Sequence, residues 1–226
     1  MENTETLDAL AAECWENVEK QNLKKEIRGT PFHLRVWKVN RGIRDYEEIF
    51  SVFLNLYIET QLRNMASSEK FVVLDMGCGS GKFLNEITTA HPSIAGYGIA
   101  NILFEGEYSK NRILIGDLAS THYNNRDTQY STPVLPYILP LIPDNSANLI
   151  TSIFTLQYLP EKDIANAIDH ARRILKPKGL ALLHIDTSFT DSDHVKKHVQ
   201  SLDSSVHSAV YSQHTGKLNL VRINKQ

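Results

Sequence analysis

The chain has 226 residues, 42% of them hydrophobic, enough to bury one good core of about 150–200 residues with an appendage. A formal net charge of −2 excludes a global electrostatic drive toward nucleic acid or a membrane surface, and two cysteines, Cys14 and Cys78, exclude a disulfide framework. No apolar run reaches the roughly 18 residues of a membrane span, and the acidic, helical start is not built like a signal peptide, so the cytoplasm is the expected compartment.

In chain order, residues 5–27 predict an amphipathic helix with Leu7, Leu10, Ala11, Trp15, Val18 and Leu23 on its apolar face, stopped by Gly29-Thr30-Pro31. Arg28–Arg44 carries five basic residues and no acid, interleaved with Phe32, His33 and Trp37. It reads as a solvated stretch, as a binder of an anionic substrate or nucleic-acid backbone, or, in part, as a cap folded over a ligand cleft. A second helix is expected over 45–65, with Asp45 as its N-cap and Ile49, Phe50, Phe53, Leu54 and Tyr57 at helical spacing. Ser67–Lys70 links this helical extension (1–68) to a second unit (69–226). There, strands near 71–76, 94–99, 112–116, 148–154 and 180–186 alternate with helices near 80–90, 101–109 and 161–175, the signature of a parallel α/β sheet. A helix over 191–202 and strands over 206–213 and 218–224, around the turn His214-Thr215-Gly216-Lys217, end the sheet in an antiparallel pair.

The most specific signal is Phe71–Leu84: four apolar residues, Asp75, then Gly77, Gly79 and Gly81 at alternate positions, then a helix. Glycines there let the backbone turn sharply and approach a ligand, while the helix start favours anionic groups. Asp75 stands at the carboxyl end of a strand, where open α/β sheets bind ligands. A phosphate-binding P-loop fails twice, because Met76 stands at the first glycine's place and Phe83 at that of the metal-binding hydroxyl. The dinucleotide fingerprint fails at Lys82. What remains, D-x-G-x-G-x-G, resembles the first motif of the class I S-adenosylmethionine-dependent methyltransferases.

The resemblance runs over about residues 70–186. It implies a Rossmann-like, seven-stranded, mostly parallel sheet whose last strand is inserted antiparallel. It also implies S-adenosylmethionine as cofactor and S-adenosylhomocysteine as product, held by Asp75, Gly77, Cys78, Gly79 and Gly81. Arg112–Leu118 is similar to the family's third strand, so Asp117 would accept from the adenine amine and Leu118 would lend a backbone contact. Pro143–Leu159 resembles its fourth-strand segment and would set Phe154 near the methionine part; Asn148 replaces the usual acid there and Gln157 the usual histidine. Ala171–Leu180 matches the connection into strand five, with Lys178 in place of a common glycine at little expected cost. The main departure is at the second strand's end, where Ala100 occupies the place of the acid that binds the ribose hydroxyls. Asn101 offers hydrogen bonds beside it, and Glu105 lies one turn on. The 119–142 segment, longer than the family's usual connection, is a candidate lid or a plain surface insertion.

Methyl transfer from a sulfonium is an in-line displacement in which the cofactor carries the activation, so no fixed catalytic constellation is expected. Candidates by position are Tyr158 and Gln157 after strand four and His184 or Asp186 on strand five, His184 reading equally as a satisfied core histidine. His194 and His198, with Asp191 and Asp193 nearby, show no third metal ligand, and no metal is expected. The expected partner is a small-molecule methyl acceptor. An Asn/Asp-Pro-Pro-Tyr motif after strand four, which would point to methylation of base amino groups, is absent from Ser152–Tyr158. A protein or RNA acceptor, or a methyltransferase-like binding protein that has lost turnover, are the alternatives. The oligomeric state is not legible.

Overall fold

The computed structural model describes residues 3–23, 40–102, 112–120, 135–185, 193–201, 207–211 and 218–225. Strand β1 (Phe71–Met76) is buried at all six positions, which is why its sequence is a continuous apolar run rather than an alternating one. It pairs in parallel with β2 (Ile94–Ala100) on one side and β4 (Ala147–Ser152) on the other. Strand β3 (Ile113–Ile115) extends the sheet beyond β2, and β5 (Leu175–His184) extends it beyond β4. Strands β6 (His207–Tyr211) and β7 (Leu218–Asn224) close it as an antiparallel pair, β7 lying against β5. The seven strands run in the order β3-β2-β1-β4-β5-β7-β6, the mostly parallel sheet with the antiparallel end that the sequence implied.

Helix α1 (Asn3–Lys20) buries Leu7, Leu10, Ala11, Cys14 and Val18 and lies against β3. The face differs by one position from the expected one: Cys14 is buried where Trp15 is only partly so. Tyr97 of β2 donates to Asp8 Oδ1 at 2.8 Å, pinning the helix to the sheet. Residues 24–27, expected as its last turn, and most of the basic stretch lie outside the described residues.

The single helix expected over 45–65 is two, α2 (Ile43–Phe50) and α3 (Leu54–Arg63). Ser51 adopts the left-handed conformation (φ 52°, ψ 43°) and returns its N–H to the carbonyls of Glu47 and Glu48, a C-cap that ends α2. The break lets Phe50, Leu54 and Ile58 all reach the core, each burial favouring the docked state by about 1.5–3 kcal/mol, while Phe53 is left 78% exposed. Asp45 is therefore not the N-cap; it sits in the first turn and accepts the N–H of the true N-cap, Gly42, at 2.9 Å.

Helix α4 (Lys82–Ala90) follows the glycine loop, and α5 (Glu161–Ile174) packs Ile164, Ala167, Ile168, Ala171 and Ile174 on the sheet. A last helix, α6 (Asp193–Ser201), packs on α5. The helix expected over 101–109 falls mainly on residues outside the description, as does Asp186. The long 119–142 segment is partly core: Leu135, Ile138, Leu139 and Ile142 are buried, and Gly116 allows Ile138 to pack where a side chain would collide with it. Strand β5 begins at once after α5, with a register break around Pro177-Lys178-Gly179. Lys178 there has φ 65°, so the glycine that the lysine replaces matched a left-handed backbone that costs a lysine of the order of 1 kcal/mol. Lys178→Gly should accordingly raise unfolding stability by about 1 kcal/mol in a urea titration; a loss of stability would contradict the conformational argument.

Candidate functional site

The loop after β1 takes its shape from its glycines. Gly77, Gly79 and Gly81 have φ of 82°, 56° and 77°, values that side chains resist, and Gly81 is the N-cap of α4. Contacts restrict the loop as much as torsions do. A methyl group on Gly77 would sit 2.0 Å from Thr155 Oγ1, and one on Gly98 of β2 would sit 2.5 Å from Cys78 Sγ. The N–H groups of Gly77 and Cys78 both point to the carbonyl of Ile99. Cys78 is thus turned onto β2 and buried, and desolvation pushes its thiol far above the ordinary range.

Asp75 lies beneath this loop, fully buried. Its Oδ2 accepts the hydroxyl of Tyr46 at 2.7 Å and its Oδ1 that of Thr151 at 2.8 Å. Tyr46 comes from α2 and stacks on Phe83 of α4, with ring centroids 4.0 Å apart and planes 10° from parallel. Glu86 of α4 accepts the first N–H of α2, from Ile43, at 2.6 Å, and Ser80 of the loop donates to Asn40 at 3.1 Å. The chain from Asn40 to Tyr46 is thereby built into the glycine loop. Burial raises the Asp75 carboxyl to about 6, with the two hydroxyls pulling in the opposite direction.

Strand register sets the remaining candidates along the same edge of the sheet. Asp75 pairs with Gly98 and with Thr151, Ala100 with Ile115, and Ser152 with Leu183, so the residues that follow β1, β2, β3, β4 and β5 are neighbours. Ala100 is 6% exposed and Asn101 is exposed beside it. Asp117 is half-buried; its backbone pairs with Pro136 and Ile138, so the long insertion returns beside it. Leu118 is buried, and Ser120 is anchored by Asp163 of α5. After β4, Phe154 takes a left-handed φ of 51° and packs its ring against that of His184 at the end of β5, centroids 4.3 Å apart. Arg41 lays its guanidinium over the Phe154 ring, 4.9 Å from its centroid. Gln157 is buried, and its Oε1 has no hydrogen-bond partner among the described residues; Tyr158 is 44% exposed.

Two expected features fall elsewhere. Asn148 is away from this edge; its Oδ1 accepts the N–H of Val72 near the start of β1, a job an amide does as well as a carboxylate. His198 contacts Asp169 at 3.2 Å, while Asp191 and the side chains of Asp193 and His194 lie outside the description. Among the described residues, no three His, Cys, Asp or Glu side chains cluster as metal ligands, and no helix is long and apolar enough to cross a membrane.

The sequence model of a methyltransferase-domain family matches residues 43–218, more than half the chain. The chain belongs to this methyltransferase family. Membership agrees with the class I resemblance of the glycine motif and implies S-adenosylmethionine as cofactor. No curated protein matches the sequence. Among solved structures, a TehB-like S-adenosylmethionine-dependent methyltransferase from Corynebacterium glutamicum is similar at 14% identity, over 74% of this chain and 87% of that one, with a TM-score of 0.42. The DszA carbon methyltransferase is similar at 10% identity over 76% and 51% of the two chains (TM-score 0.46), and the antibiotic-resistance methyltransferase Kmr at 16% over 74% and 93% (TM-score 0.38). Likeness of this degree carries no argument about the acceptor.

Sequence reasoning missed Arg41 as an individual residue, Tyr46, Thr151 and Glu86. Thr151 had a signal, a lone threonine two residues into a buried apolar run. Tyr46 had none, since a tyrosine on the apolar side of a helix reads as core.

Replacing Tyr46 by Phe keeps the stack on Phe83 but leaves Asp75 Oδ2 without its donor. The expected cost is about 1–3 kcal/mol in urea unfolding, and a cost near zero would contradict the bond's role. Asp75 also predicts a pH effect. Its carboxyl holds a proton to about 6 in the folded chain, against 3.8 for an ordinary aspartate. Between these values the folded state binds more protons than the unfolded one, so this residue makes stability fall as pH rises from about 4 to about 6. Asp75→Asn removes that slope: the stability difference between the two proteins should change by something like 2–3 kcal/mol across the window. A constant difference would show that Asp75 titrates normally.

Proposed function

We propose that the protein transfers a methyl group from S-adenosylmethionine to a small-molecule nucleophile. The observation that carries the acceptor class is the segment 40–46, folded over the ends of β1 and β4 by Tyr46–Asp75, Asn40–Ser80 and Arg41–Phe154. A segment so placed narrows the approach to Phe154, which suits a small acceptor better than a chain of protein or RNA. When bound, the cofactor supplies a methyl group already activated on sulfur.

The residues present fit that cofactor. The left-handed glycines let the loop backbone come close, Asp117 is a partly exposed acceptor for an exocyclic amine, and Asn101 offers an amide beside the small Ala100. Asp75 is too deep to meet a ligand directly; it fixes Tyr46 and Thr151, and through them the loop. Phe154 and Arg41 shield the reacting region from water, and alignment within it is the main source of acceleration. The packing of His184 on Phe154 supports it, among the candidates, as the group that would take a proton from an acceptor that still carries one.

Ala100 favours a second reading, a methyltransferase-like binder without turnover. Asn148 gives it no support, because that side chain does structural work at the far end of β1. Calorimetry with S-adenosylhomocysteine separates binding from its absence, and no binding at millimolar ligand would overturn the cofactor reading. Asp117→Ala should weaken binding about tenfold. Ala100→Asp, which restores a carboxylate for the ribose hydroxyls, should tighten it by roughly ten- to a hundredfold. Unchanged affinity in both variants would overturn the site assignment.

A further inference from the structure

We propose that Arg41 selects an acceptor bearing an oxyanion, a carboxylate or a phosphate, and holds that group over the ends of β4 and β5. This rests on the methyltransferase reading above and goes beyond it by naming the acceptor's chemistry.

The chain contains a clear example of an arginine used for structure. Arg173 donates to the carbonyls of Ile142 and Leu139, each at 2.7 Å, and pairs with Asp144. Arg41 is not used that way. It is half-buried, and among the described residues it makes neither an ion pair nor a hydrogen bond; its one contact of note is the Phe154 ring. A guanidinium has five N–H donors in a planar fork, and stacking on a ring leaves that fork open at its edge. Withdrawing such a group from water without acceptors is unfavourable, and burial lowers its basicity. The groups acting on it are Tyr46, Asp45 and Tyr158. Asp45, the carboxylate among them, favours the charged form without closing an ion pair with it. A carboxylate or phosphate matches the fork in shape and charge, and binds it through two parallel hydrogen bonds.

Arg41 belongs to a segment docked on the glycine loop, but its guanidinium reaches over Phe154, the residue that the acceptor reading uses. The glycine loop follows β1, Ala100 ends β2 and Asp117 follows β3, so the cofactor reading occupies that half of the edge. Phe154 follows β4 and His184 ends β5, on the other half, and Arg41 lies over Phe154. In-line displacement requires the nucleophile to approach opposite the leaving sulfur, and the acceptor reading puts that approach over β4 and β5. The Phe154 ring beneath the guanidinium adds an apolar floor, which suits an acceptor with a flat or apolar body beside its anionic group.

The test uses the full chain saturated with S-adenosylhomocysteine. Benzoate, phenylacetate and phenyl phosphate are titrated against benzamide, phenylacetamide and phenol. Wild type should prefer the anions at least tenfold, with the carboxylate and phosphate arms deciding between the two oxyanions. Arg41→Gln should lose that preference, and Arg41→Lys should keep part of it, while both variants bind S-adenosylhomocysteine as wild type does. Equal binding of acids and neutral partners, or an anion preference that survives Arg41→Gln, would overturn the assignment. So would a loss of S-adenosylhomocysteine affinity in Arg41→Gln without loss for 5′-methylthioadenosine, which lacks the amino-acid part; the arginine would then serve the cofactor's carboxylate. If wild type binds no S-adenosylhomocysteine at all, the cofactor reading itself fails and the acceptor assignment falls with it.

Discussion

A carboxylate that water does not reach must find its donors in the chain, and Asp75 finds them in two hydroxyls, one from the adjacent strand and one from a docked helix. Leaving such a group uncompensated would cost several kcal/mol. Thr151 is supplied by the neighbouring strand as a matter of register, so its bond forms whenever the sheet forms. Tyr46 is different. It arrives from α2, 29 residues earlier, and its bond exists only when that helix is docked. The helix and the glycine loop are therefore one energetic unit. Glu86 at the first N–H of α2 and the Tyr46–Phe83 stack both fix the same docking from α4.

That unit explains why the glycine loop tolerates so little. Its three left-handed residues answer to backbone torsion, but Gly77 also answers to Thr155, and Gly98 to Cys78. The loop is clamped between the segment after β4 and the end of β2. A change on either side reaches the other through side-chain packing, because the space for a single methyl group is already taken.

How much of this was legible depended on whether the cause was local. The buried strands, the amphipathic α5 and the glycine loop each carry their own signal in a window of about ten residues, and each forms close to where the sequence put it. The break at Ser51 was not legible, since serine carries no strong left-handed preference and the run on either side keeps helical spacing. The core role of Leu135–Ile142 was hidden for a related reason: proline-rich composition reads as loop, and only the packing of Ile138 against Gly116 makes it core. In the site, residue types at strand ends could be placed by resemblance, but the partners of Asp75 could not, because Tyr46 meets it through tertiary docking alone. Lys178 is the reverse case, a residue whose position was legible and whose left-handed backbone was not.

Ala100 looks like a loss of function only if every lost contact is a catalytic one. The ribose hydroxyls sit at the end of the cofactor that does not change during the reaction; they are the same in the methyl donor, in the transition state and in the demethylated product. A contact to them is uniform binding, and its removal raises KM for the cofactor without lowering kcat. It also weakens the product as much as the donor, which favours release. On the proposed function the differential work falls on the other half of the edge, where Phe154 packs against both His184 and Arg41 and where the acceptor would be aligned. Under the proposed function, Ala100 on one half of the edge and Arg41 on the other describe an enzyme that holds its cofactor loosely and spends its specific contacts on the acceptor.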